Sequence, residues 1–587
     1  MIKLIKNFGK KEWLLVLVSF ILIFLQVWLE LKMPDYMAEI TRLVQTEGSK
    51  MEDILVNGGM MMLCAFGSLI GAIIVGYLVA NLTANFSKKI RKKLFSKVES
   101  LSMNEIKLFS TSSLITRTTN DITQVEMLIG MGLQLLIKAP ITAIWAITKI
   151  LNKNLIWSGI TAIAVVILLS VVGILTAIVV PKFKILQKLT DRLNGVTREN
   201  LTGIRVVRAF NAEDFQENKF DDVNTRLTKQ QMFNQKTFAI FSPIMYMVMH
   251  VLSLSIYFVG AHLIEQSLMV DKIGIFGDMV VFSSYAMQVI MSFLMLAMIF
   301  MILPRAQVSA ARINEVMDTV VSIKDGNLEV NDTEEKGIVE FRNVSFKYPD
   351  AEEYIIKNIS FKANKGETVA FIGSTGSGKS TLINLVPRFY DVTEGEVLVD
   401  GINVKDYKLE SLYNKLGYVS QKAVIFNGSI KENVSYGKSL KKVKSDNIKK
   451  AVEVAQASEF VENMDMKYDT VLSQGGTNIS GGQKQRISIA RAIARNPEIY
   501  IFDDSFSALD YKTDAKLRQE LKKYTKDATT LIVAQRIGTI MHADKIIVLD
   551  NGNCVGIGTH KELLKKSDVY RQIALSQISE EELENAW

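Results

Sequence analysis

Cysteine and histidine are scarce in this chain. Among 587 residues there are two cysteines, Cys64 and Cys554, and four histidines. Two cysteines cannot build the disulfide framework of a small secreted domain or a multi-cysteine metal site. Four histidines argue against a histidine-rich metal centre. Structural metal sites and disulfide scaffolds are therefore excluded as the basis of the fold.

Charge is also low, at 22% of residues, while 48% of residues are hydrophobic and the formal net charge is +8. So much apolar surface excludes a disordered chain. The mean hydropathy of +0.18 is high for a soluble enzyme and low for a chain lying wholly in lipid. We therefore expect several domains, some in a membrane and some in water.

Long runs without any Asp, Glu, Lys or Arg locate the membrane part. Five such runs approach or exceed the ~17–25 apolar residues that cross a hydrocarbon core, and a sixth is interrupted only by Lys138. Buried core helices are the alternative for any single run, but five of them in one chain favour a membrane. The runs predict six spans, at about residues 13–31, 54–87, 127–148, 154–181, 237–264 and 279–304.

The flanking charges orient these spans. Four lysines precede the first span and six basic residues follow the second, whereas the loop between them (30–53) is acid-rich. The positive-inside rule then predicts a cytoplasmic N-terminus. The loops 88–126 and 182–236 are long, mixed in charge and poor in Pro and Gly, so helices two to five should project into the cytoplasm.

From about residue 337 the pattern changes to that of an α/β domain. The run 338–346 alternates like a strand, and 368–372 is a short apolar run typical of a buried parallel strand. A glycine-rich loop and a predicted helix over 381–388 follow, which is the context that a phosphate-binding P-loop requires. The predicted nucleotide-binding residues of this loop are Gly373, Ser374, Thr375, Gly376, Ser377, Gly378, Lys379, Ser380 and Thr381.

The chemistry of this loop predicts binding of ATP with Mg²⁺. Glycines allow backbone N–H groups to approach phosphates at a helix N-terminus. Lys379 should reach the β- and γ-phosphates, and Ser380 should ligate Mg²⁺. A second apolar strand (499–502) ends in Asp503, an acid placed to hold the metal.

Between these motifs, the stretch 478–486 resembles the signature loop of ATP-binding cassette (ABC) proteins. Gln421 resembles the Q-loop glutamine of that family, and Tyr348 resembles its adenine-stacking aromatic residue. The resemblance implies Ser380, Gln421 and Asp503 as Mg²⁺ ligands. It also implies a signature of Ser480, Gly481, Gly482 and Gln483, which serves a partner's site, and a D-loop of Ser507, Ala508, Leu509 and Asp510.

The front half fits the same family, because six spans fused ahead of one cassette resemble an ABC exporter half-transporter. Segments 109–121 and 203–210 resemble the parts of the cytoplasmic loops that carry coupling helices. We expect an all-α membrane domain over 1–318, a linker over 319–337, an α/β P-loop nucleotide-binding domain over 338–575 and a tail over 576–587.

Two positions depart from the family pattern. Asp504 stands where hydrolysing members usually have Glu, and Gln535 stands where they usually have the switch His. Both catalytic positions are changed, while the P-loop and signature are intact. This combination predicts a subunit that contributes a degenerate ATP site to a heterodimer, resembling heterodimeric bacterial multidrug exporters. Its partner would be a second ABC half-transporter chain, and its location the cell membrane, with the cassette in the cytoplasm.

The cargo is less well defined. Spans five and six are rich in methionine, a flexible and polarizable residue that suits apolar small molecules, although core or lipid-facing packing explains most of these positions better. Lys138 is either functional or a lysine that reaches the interface. We expect amphipathic drugs or lipid-like cargo and contact with membrane lipids, but no nucleic acid. The alternatives are a homodimeric lipid or peptide exporter with slow ATPase activity and an ATP-gated channel or sensor.

Overall fold

The computed structural model describes residues 1–46, 48–151, 155–267, 271–329, 335–437 and 443–577. These residues form two compact units. The membrane unit comprises Met1–Glu99 and Thr111–Thr319, and the cassette unit comprises Ser100–Ser110 and the described part of Val320–Trp587. The domain boundaries given above stay predictions, and parts of the predicted linker and tail lie outside the described residues.

Ten helices are described in the first 318 residues. Several are far longer than the ~20 residues that span a bilayer, and α3 and α9 have 49 and 54 residues. The helices are α1 (Ile2–Ile5), α2 (Lys10–Gln45), α3 (Met51–Glu99), α4 (Met103–Leu108), α5 (Thr111–Thr118), α6 (Asn120–Leu151), α7 (Leu155–Thr202), α8 (Ile204–Ala209), α9 (Glu213–Gln266) and α10 (Asp271–Asp318).

Six of these segments are long and apolar enough to cross a membrane, which confirms the predicted number of spans, while the predicted span limits stay predictions. A helix satisfies its backbone hydrogen bonds internally, as hydrocarbon requires. Proline is tolerated inside five of the long helices, at Pro34, Pro140, Pro181, Pro243 and Pro304. The helices also run well past the apolar segments, as the long polar loops predicted. Asn154, at the start of the fourth predicted span, lies outside the described residues.

Two ion pairs join α2 to α6 within the membrane unit. Glu30 Oε1 accepts hydrogen bonds from Lys138 Nζ at 2.8 Å, Gln26 Nε2 at 2.9 Å and Ser68 Oγ at 3.1 Å. The Lys138 charge is therefore neutralised by an acid on a neighbouring helix, so the lysine is neither unpaired nor directed only toward the membrane interface. The sequence analysis missed this partner, since Glu30 follows directly after the first charge-free run.

The second pair lies further along α2. Asp35 Oδ2 accepts from Lys149 Nζ at 2.7 Å, and Asp35 Oδ1 accepts from the hydroxyl of Tyr285 at 2.5 Å. That hydroxyl also donates to the carbonyl of Leu31 at 2.9 Å. Asp35 thus connects α2 to both α6 and α10, and the Tyr285 ring is fully buried at this junction.

The cassette unit contains twelve described strands. They are β1 (Val339–Phe346), β2 (Ile356–Ala363), β3 (Thr368–Gly373), β4 (Glu394–Val399), β5 (Ile402–Asn403), β6 (Leu416–Val419), β7 (Gly428–Ser429), β8 (Val471–Leu472), β9 (Ile499–Asp503), β10 (Thr529–Val533), β11 (Lys545–Asp550) and β12 (Asn553–Gly558).

Its helices after residue 320, in the part of the chain that the structure describes, are mostly short. They are α11 (Lys379–Ile383), α12 (Leu409–Lys415), α13 (Ile430–Val434), α14 (Ser445–Val454), α15 (Ser458–Glu462), α16 (Gly481–Arg495), α17 (Tyr511–Tyr524), α18 (Ile537–Ile540), α19 (His560–Lys566) and α20 (Asp568–Leu575). The predicted helix over 381–388 is therefore too long, because α11 ends at Ile383. Pro387 disfavours helical geometry in the residue before it, and Arg388 adopts a positive φ of 54°.

A six-stranded sheet in the order β12-β11-β3-β10-β9-β6 forms the centre of the cassette unit. Its pairs are parallel except for the edge pair of β11 and β12. A second sheet is antiparallel and has four strands in the order β2-β1-β4-β5. Its apolar side chains share a buried core with those of β3 and β10. This confirms the predicted α/β class, and the parallel pairing gathers the carboxyl ends of β3, β6, β9 and β10 at one edge.

The ion pair between α2 and α6 leads to a stability prediction. Glu30→Gln leaves the Lys138 ammonium unpaired, and we expect it to lower the free energy of unfolding. The cost should be roughly 2 kcal/mol, below the ~3–5 kcal/mol of a fully buried pair, because Lys138 and Glu30 keep 25% and 24% of their side-chain surface exposed. Thermal unfolding of the purified protein in lipid nanodiscs measures the loss.

The matched control is Glu39→Gln on the same helix, which breaks an exposed ion pair with Arg42. Exposed pairs contribute ~0–1 kcal/mol, so little change is expected there. Neutralising both partners, as Glu30→Gln with Lys138→Met, should restore most of the lost stability. Equal effects of the Glu30 and Glu39 variants would contradict the assignment of a structural role to the Glu30–Lys138 pair.

Candidate functional site

The P-loop follows β3 and leads directly into α11. Gly376 and Gly378 have φ angles of +87° and +94°, a region that side chains with a Cβ rarely adopt. A Cβ on Gly378 would also lie 2.6 Å from the Ile356 side chain. The local turn therefore requires glycine, and it brings the backbone of residues 373–378 round the N-terminus of α11.

Lys379 lies inside this loop. Its ammonium donates to the carbonyls of Gly373 at 2.8 Å and Ser374 at 2.7 Å. Burial lowers the pKa of the Lys379 ammonium, while the carboxylates of Asp504 and Asp503 oppose that shift. The loop thus holds a partly desolvated positive charge where the sequence predicts the β- and γ-phosphates.

Ser380 and Asp503 meet at the same edge of the sheet. Ser380 Oγ donates to Asp503 Oδ1 at 2.6 Å, which joins the first turn of α11 to the end of β9. Burial raises the pKa of the Asp503 carboxyl, and the hydrogen bond from Ser380 opposes the rise. A hydroxyl and a carboxylate in direct contact are oxygen ligands of the kind that Mg²⁺ prefers, so these residues fit the predicted metal.

Asp504 is buried and carries two hydrogen bonds on one oxygen. Its Oδ2 accepts from Gln535 Nε2 at 2.8 Å and from Gln421 Nε2 at 3.1 Å. Burial raises the pKa of the Asp504 carboxyl, and both amide donors oppose that shift. The two positions that depart from the family pattern are thus in direct contact with each other, and Gln421 joins the same group.

Tyr348 lies beside the P-loop helix and is half-buried. Its hydroxyl is 3.2 Å from Thr381 Oγ1, on the first turn of α11. The Tyr348 ring packs edge to face with Phe346 and Tyr390. This position suits a ring that stacks on the base of a nucleotide whose phosphates lie in the adjoining loop.

The signature residues form the start of α16. Ser480 caps this helix, because its Oγ accepts from the backbone N–H of Gln483 at 3.3 Å while Gln483 Oε1 accepts from Ser480 N at 2.8 Å. Ser480 and Gly481 are exposed. A reciprocal cap of this kind fixes the helix N-terminus by satisfying the backbone N–H groups of Ser480 and Gln483.

The D-loop follows β9 and contacts the signature. A Cβ on Gly482 would lie 3.4 Å from the carbonyl oxygen of Ala508 and 3.7 Å from the Leu509 side chain. Ser507 Oγ donates to the carbonyl of Asp504 at 2.9 Å, and Asp510 caps α17 through the N–H of Thr513 at 2.9 Å. The D-loop therefore lies between the predicted catalytic acid and the signature.

Gln485 is a site-supporting residue that the sequence analysis missed. It is buried, and its Nε2 donates to the carbonyl of Ser420 at 3.3 Å, directly before Gln421. Gln485 thereby connects the signature helix to the segment that carries the Q-loop residue. In the sequence, the spacing of four residues to the apolar Ile489 places Gln485 on the same face of the predicted helix. That spacing is a weak signal for a role in the site.

The membrane residues considered for cargo are divided between core and surface. Met245 and Met279 are buried among the helices, whereas Met247, Met291 and Met298 are exposed. In the part of the membrane unit that the structure describes, these methionines therefore lie in two environments, the helix core and the surface.

Two family profiles match the chain. The family described as ABC transporter transmembrane region matches residues 14–293, and the family described as ABC transporter matches residues 356–507. Together they cover nearly all of the first five predicted spans, the first part of the sixth, and the sequence from β2 through the first D-loop residue. An ATP-binding module with six fused spans indicates a multi-pass membrane protein with a cytoplasmic ATPase domain.

Relatives align over most of the chain. An ATP-dependent lipid A-core flippase of Pseudomonas aeruginosa is 31% identical over 83% of this chain and 79% of its own length. A candidate multidrug export ATP-binding/permease protein of Bacillus subtilis is 34% identical over 82% of this chain and 81% of its own. An uncharacterised ABC transporter ATP-binding protein of Mycobacterium tuberculosis is 37% identical, with 82% of both chains covered.

The fold is shared with a solved exporter. A bacterial Atm1-family ABC exporter with ATP bound superposes with a TM-score of 0.82, over 96% of this chain and 99% of the other, at 23% identity. At that identity the likeness concerns the fold. With the family profiles and the relatives, it shows that the chain belongs to the ABC transporter family and has the fold of an exporter half-transporter.

Proposed function

We propose that this chain is one subunit of a heterodimeric, ATP-driven exporter of the cell membrane and contributes the weaker of its two ATP sites. The observation that carries the proposal is the group formed by Asp504, Gln421 and Gln535, in which both amides donate to one carboxylate oxygen. The rest of the ATP site retains the residues expected of a hydrolysing cassette.

The side-chain length of Asp504 is the first reason for slow hydrolysis. An aspartate carboxylate ends about one ångström short of a glutamate carboxylate, and ~1 Å of misplacement can cost ~10²-fold in rate. That factor corresponds to roughly 2.7 kcal/mol of barrier. Two donors on Oδ2 further reduce the capacity of this oxygen to accept a hydrogen bond from an attacking water.

Gln535 supplies the second reason. An amide side chain can donate a hydrogen bond to a γ-phosphate, but it cannot hold a proton near neutral pH as histidine can. In this chain the Gln535 amide already donates to Asp504 at 2.8 Å. The hydrogen bond between Gln535 and Asp504 therefore favours a site that binds and retains ATP, rather than one that hydrolyses it rapidly.

The intact signature supports a second, competent site. In ABC exporters two cassettes pair head to tail, so each ATP site uses one chain's P-loop and the other chain's signature. Ser480 and Gly481 are exposed and held by a complete helix cap, which leaves them available to a partner. Two copies of this chain would have two weak sites, whereas a partner with Glu and His would keep one site active.

The residues present fit ATP and Mg²⁺. Lys379 and the backbone of residues 373–378 would hold the phosphates, Tyr348 would stack on the base, and Ser380, Gln421 and Asp503 would hold the metal. The bound nucleotide joins the two cassettes, and hydrolysis at the competent site separates them. Segments 109–121 and 203–210 would pass this movement to the spans, so that the transport cavity alternates between inward-open and outward-open.

The proposed cargo is an amphipathic drug or a lipid-like compound. The relatives include a lipid A-core flippase and a candidate multidrug export protein, whose names indicate a lipid and drugs as cargo. A homodimeric lipid or peptide exporter with slow ATPase activity is the second candidate, favoured by the flippase relative. An ATP-gated channel would conduct ions without stoichiometric hydrolysis, whereas a pump shows ATPase activity that its cargo stimulates.

Restoring the longer acid should speed the weak site. We expect Asp504→Glu to raise ATP hydrolysis at this chain's own site by ~10-fold or more, because the carboxylate gains about an ångström of reach. Hydrolysis is measured on the assembled complex in nanodiscs after the partner's catalytic acid has been changed to Gln. Combining Asp504→Glu with Gln535→His should raise the rate further.

Asp527→Glu is the matched control, since it adds the same methylene to an exposed aspartate of the cassette. We expect no change in the ATPase rate from this variant. If Asp504→Glu with Gln535→His leaves hydrolysis at the Asp527→Glu level, while ATP still binds, slow turnover does not come from these two positions and the degenerate-site proposal fails.

The subunit composition of the native complex tests the heterodimer directly. With an affinity tag on this chain, we expect equal amounts of a second six-span cassette chain that carries Glu and His at the positions matching 504 and 535. Intact mass spectrometry of the purified complex gives the stoichiometry. A complex made of this chain alone would replace the asymmetric pump with a slow homodimeric flippase or an ATP-gated regulator.

A further inference from the structure

The short helix α4 belongs to the cassette unit, although it follows α3 after only three residues. Glu105 holds it in place: one carboxylate oxygen accepts from the N–H of Ser102 at 2.8 Å and the other from the N–H of Ser322 at 3.3 Å. Burial would raise the pKa of Glu105, but its hydrogen bonds with Ser102 and Ser322 outweigh this effect and lower it. The helix is thus tied to the segment that precedes β1.

This anchoring directs Lys107 toward the base-stacking ring. The Lys107 ammonium lies 4.2 Å from the centroid of the Tyr348 ring and 5.1 Å from that of Tyr390. The two rings stand almost perpendicular, at 86°, with centroids 5.2 Å apart. An ammonium over an aromatic face within ~6 Å is attracted by the ring quadrupole. Lys107 therefore occupies the corner between two tyrosines.

Tyr348 has little freedom to turn away from this contact. Its hydroxyl lies 3.2 Å from Thr381 Oγ1, and its ring packs at 82° against Phe346 with centroids 5.0 Å apart. Phe346 is buried in the core of the cassette unit. The ring face over which Lys107 lies is consequently fixed relative to the P-loop helix.

We propose that Lys107 is a base-sensing residue: its ammonium and the nucleotide base compete for the same face of Tyr348. This rests on the proposed role of Tyr348 in stacking on adenine. A planar base in van der Waals contact with the ring and an ammonium at 4.2 Å cannot share one face. Binding of the base displaces Lys107 and frees α4 from one of its contacts, so the segment directly after α3 responds to occupancy of this chain's own site.

The competition predicts a selective gain in affinity when the lysine is removed. An exposed cation–π contact corresponds to ~2–5-fold in an equilibrium constant. Lys107→Ala should therefore bind ATP ~2–5-fold more tightly, with no change for tripolyphosphate, which has the phosphates but lacks the base. Lys107→Arg should behave as wild type, because a guanidinium also lies over aromatic faces.

The experiment measures equilibrium binding of Mg²⁺–ATP, and its displacement by tripolyphosphate, on the full complex in nanodiscs. Lys347→Ala is the matched control, since that lysine precedes Tyr348 but lies over the Tyr354 ring, 5.7 Å from its centroid. We expect it to bind both ligands as wild type does. The gain from Lys107→Ala should also vanish in a Tyr348→Ala background.

Three results would overturn the inference: weaker or unchanged ATP binding by Lys107→Ala, an equal shift for ATP and tripolyphosphate, or a gain that persists without Tyr348. The Tyr348→Ala variant separates the two proposals. If it weakens ATP selectively while Lys107→Ala has no effect, only the sensing role fails. If it weakens ATP no more than tripolyphosphate, the base-stacking role of Tyr348 fails as well.

Discussion

Parallel pairing in the central sheet decides where the nucleotide-site residues lie. Val533 of β10 is in register with Phe371 of β3 on one side and Asp503 of β9 on the other, and Val419 of β6 is in register with Phe502. The carboxyl ends of all four strands thus meet at one edge, which is where ligands bind in open α/β sheets. The P-loop and the two glutamines each follow one of these strands, and Asp503, the acid proposed to hold the metal, is the last residue of β9.

The same edge of the sheet explains why Asp504 and Gln535, the two residues that depart from the family pattern, are in contact. Asp504 follows β9, Gln535 follows the neighbouring β10, and Gln421 follows β6 on the other side. Because the strands are adjacent, Gln421 and Gln535 hydrogen-bond Asp504 at 3.1 and 2.8 Å, although they are 83 and 31 residues away from it in sequence. The buried Asp504 carboxylate accepts hydrogen bonds from two amides, and this arrangement is the physical basis of the proposed slow hydrolysis at this site.

The membrane unit follows a different constraint. Hydrocarbon requires each span to satisfy its backbone internally, and charged side chains there need partners. Glu30 with Lys138, and Asp35 with Lys149 and Tyr285, meet this requirement by joining α2 to α6 and α10. These polar contacts add specific connections between helices whose shared core is otherwise formed by apolar side chains.

Periodicity and motif order in the sequence alone determined the six spans, the α/β class of the second half and the identity of the P-loop and signature. These features are local: charge-free length defines a span, and a strand, a glycine loop and a helix in succession define a P-loop. The end of α11 at Ile383 was predicted wrongly, although Pro387 is a local signal against helical geometry at the residue before it.

Only the tertiary structure decided which distant residues meet. Glu30 and Lys138 are 108 residues apart, and Lys107 lies over a tyrosine more than 200 positions later in the chain. No periodicity marks such pairs, because an isolated lysine in a polar loop has the same sequence context whether it faces solvent or an aromatic ring. Helix packing and strand order bring these groups together, and they are properties of the folded chain.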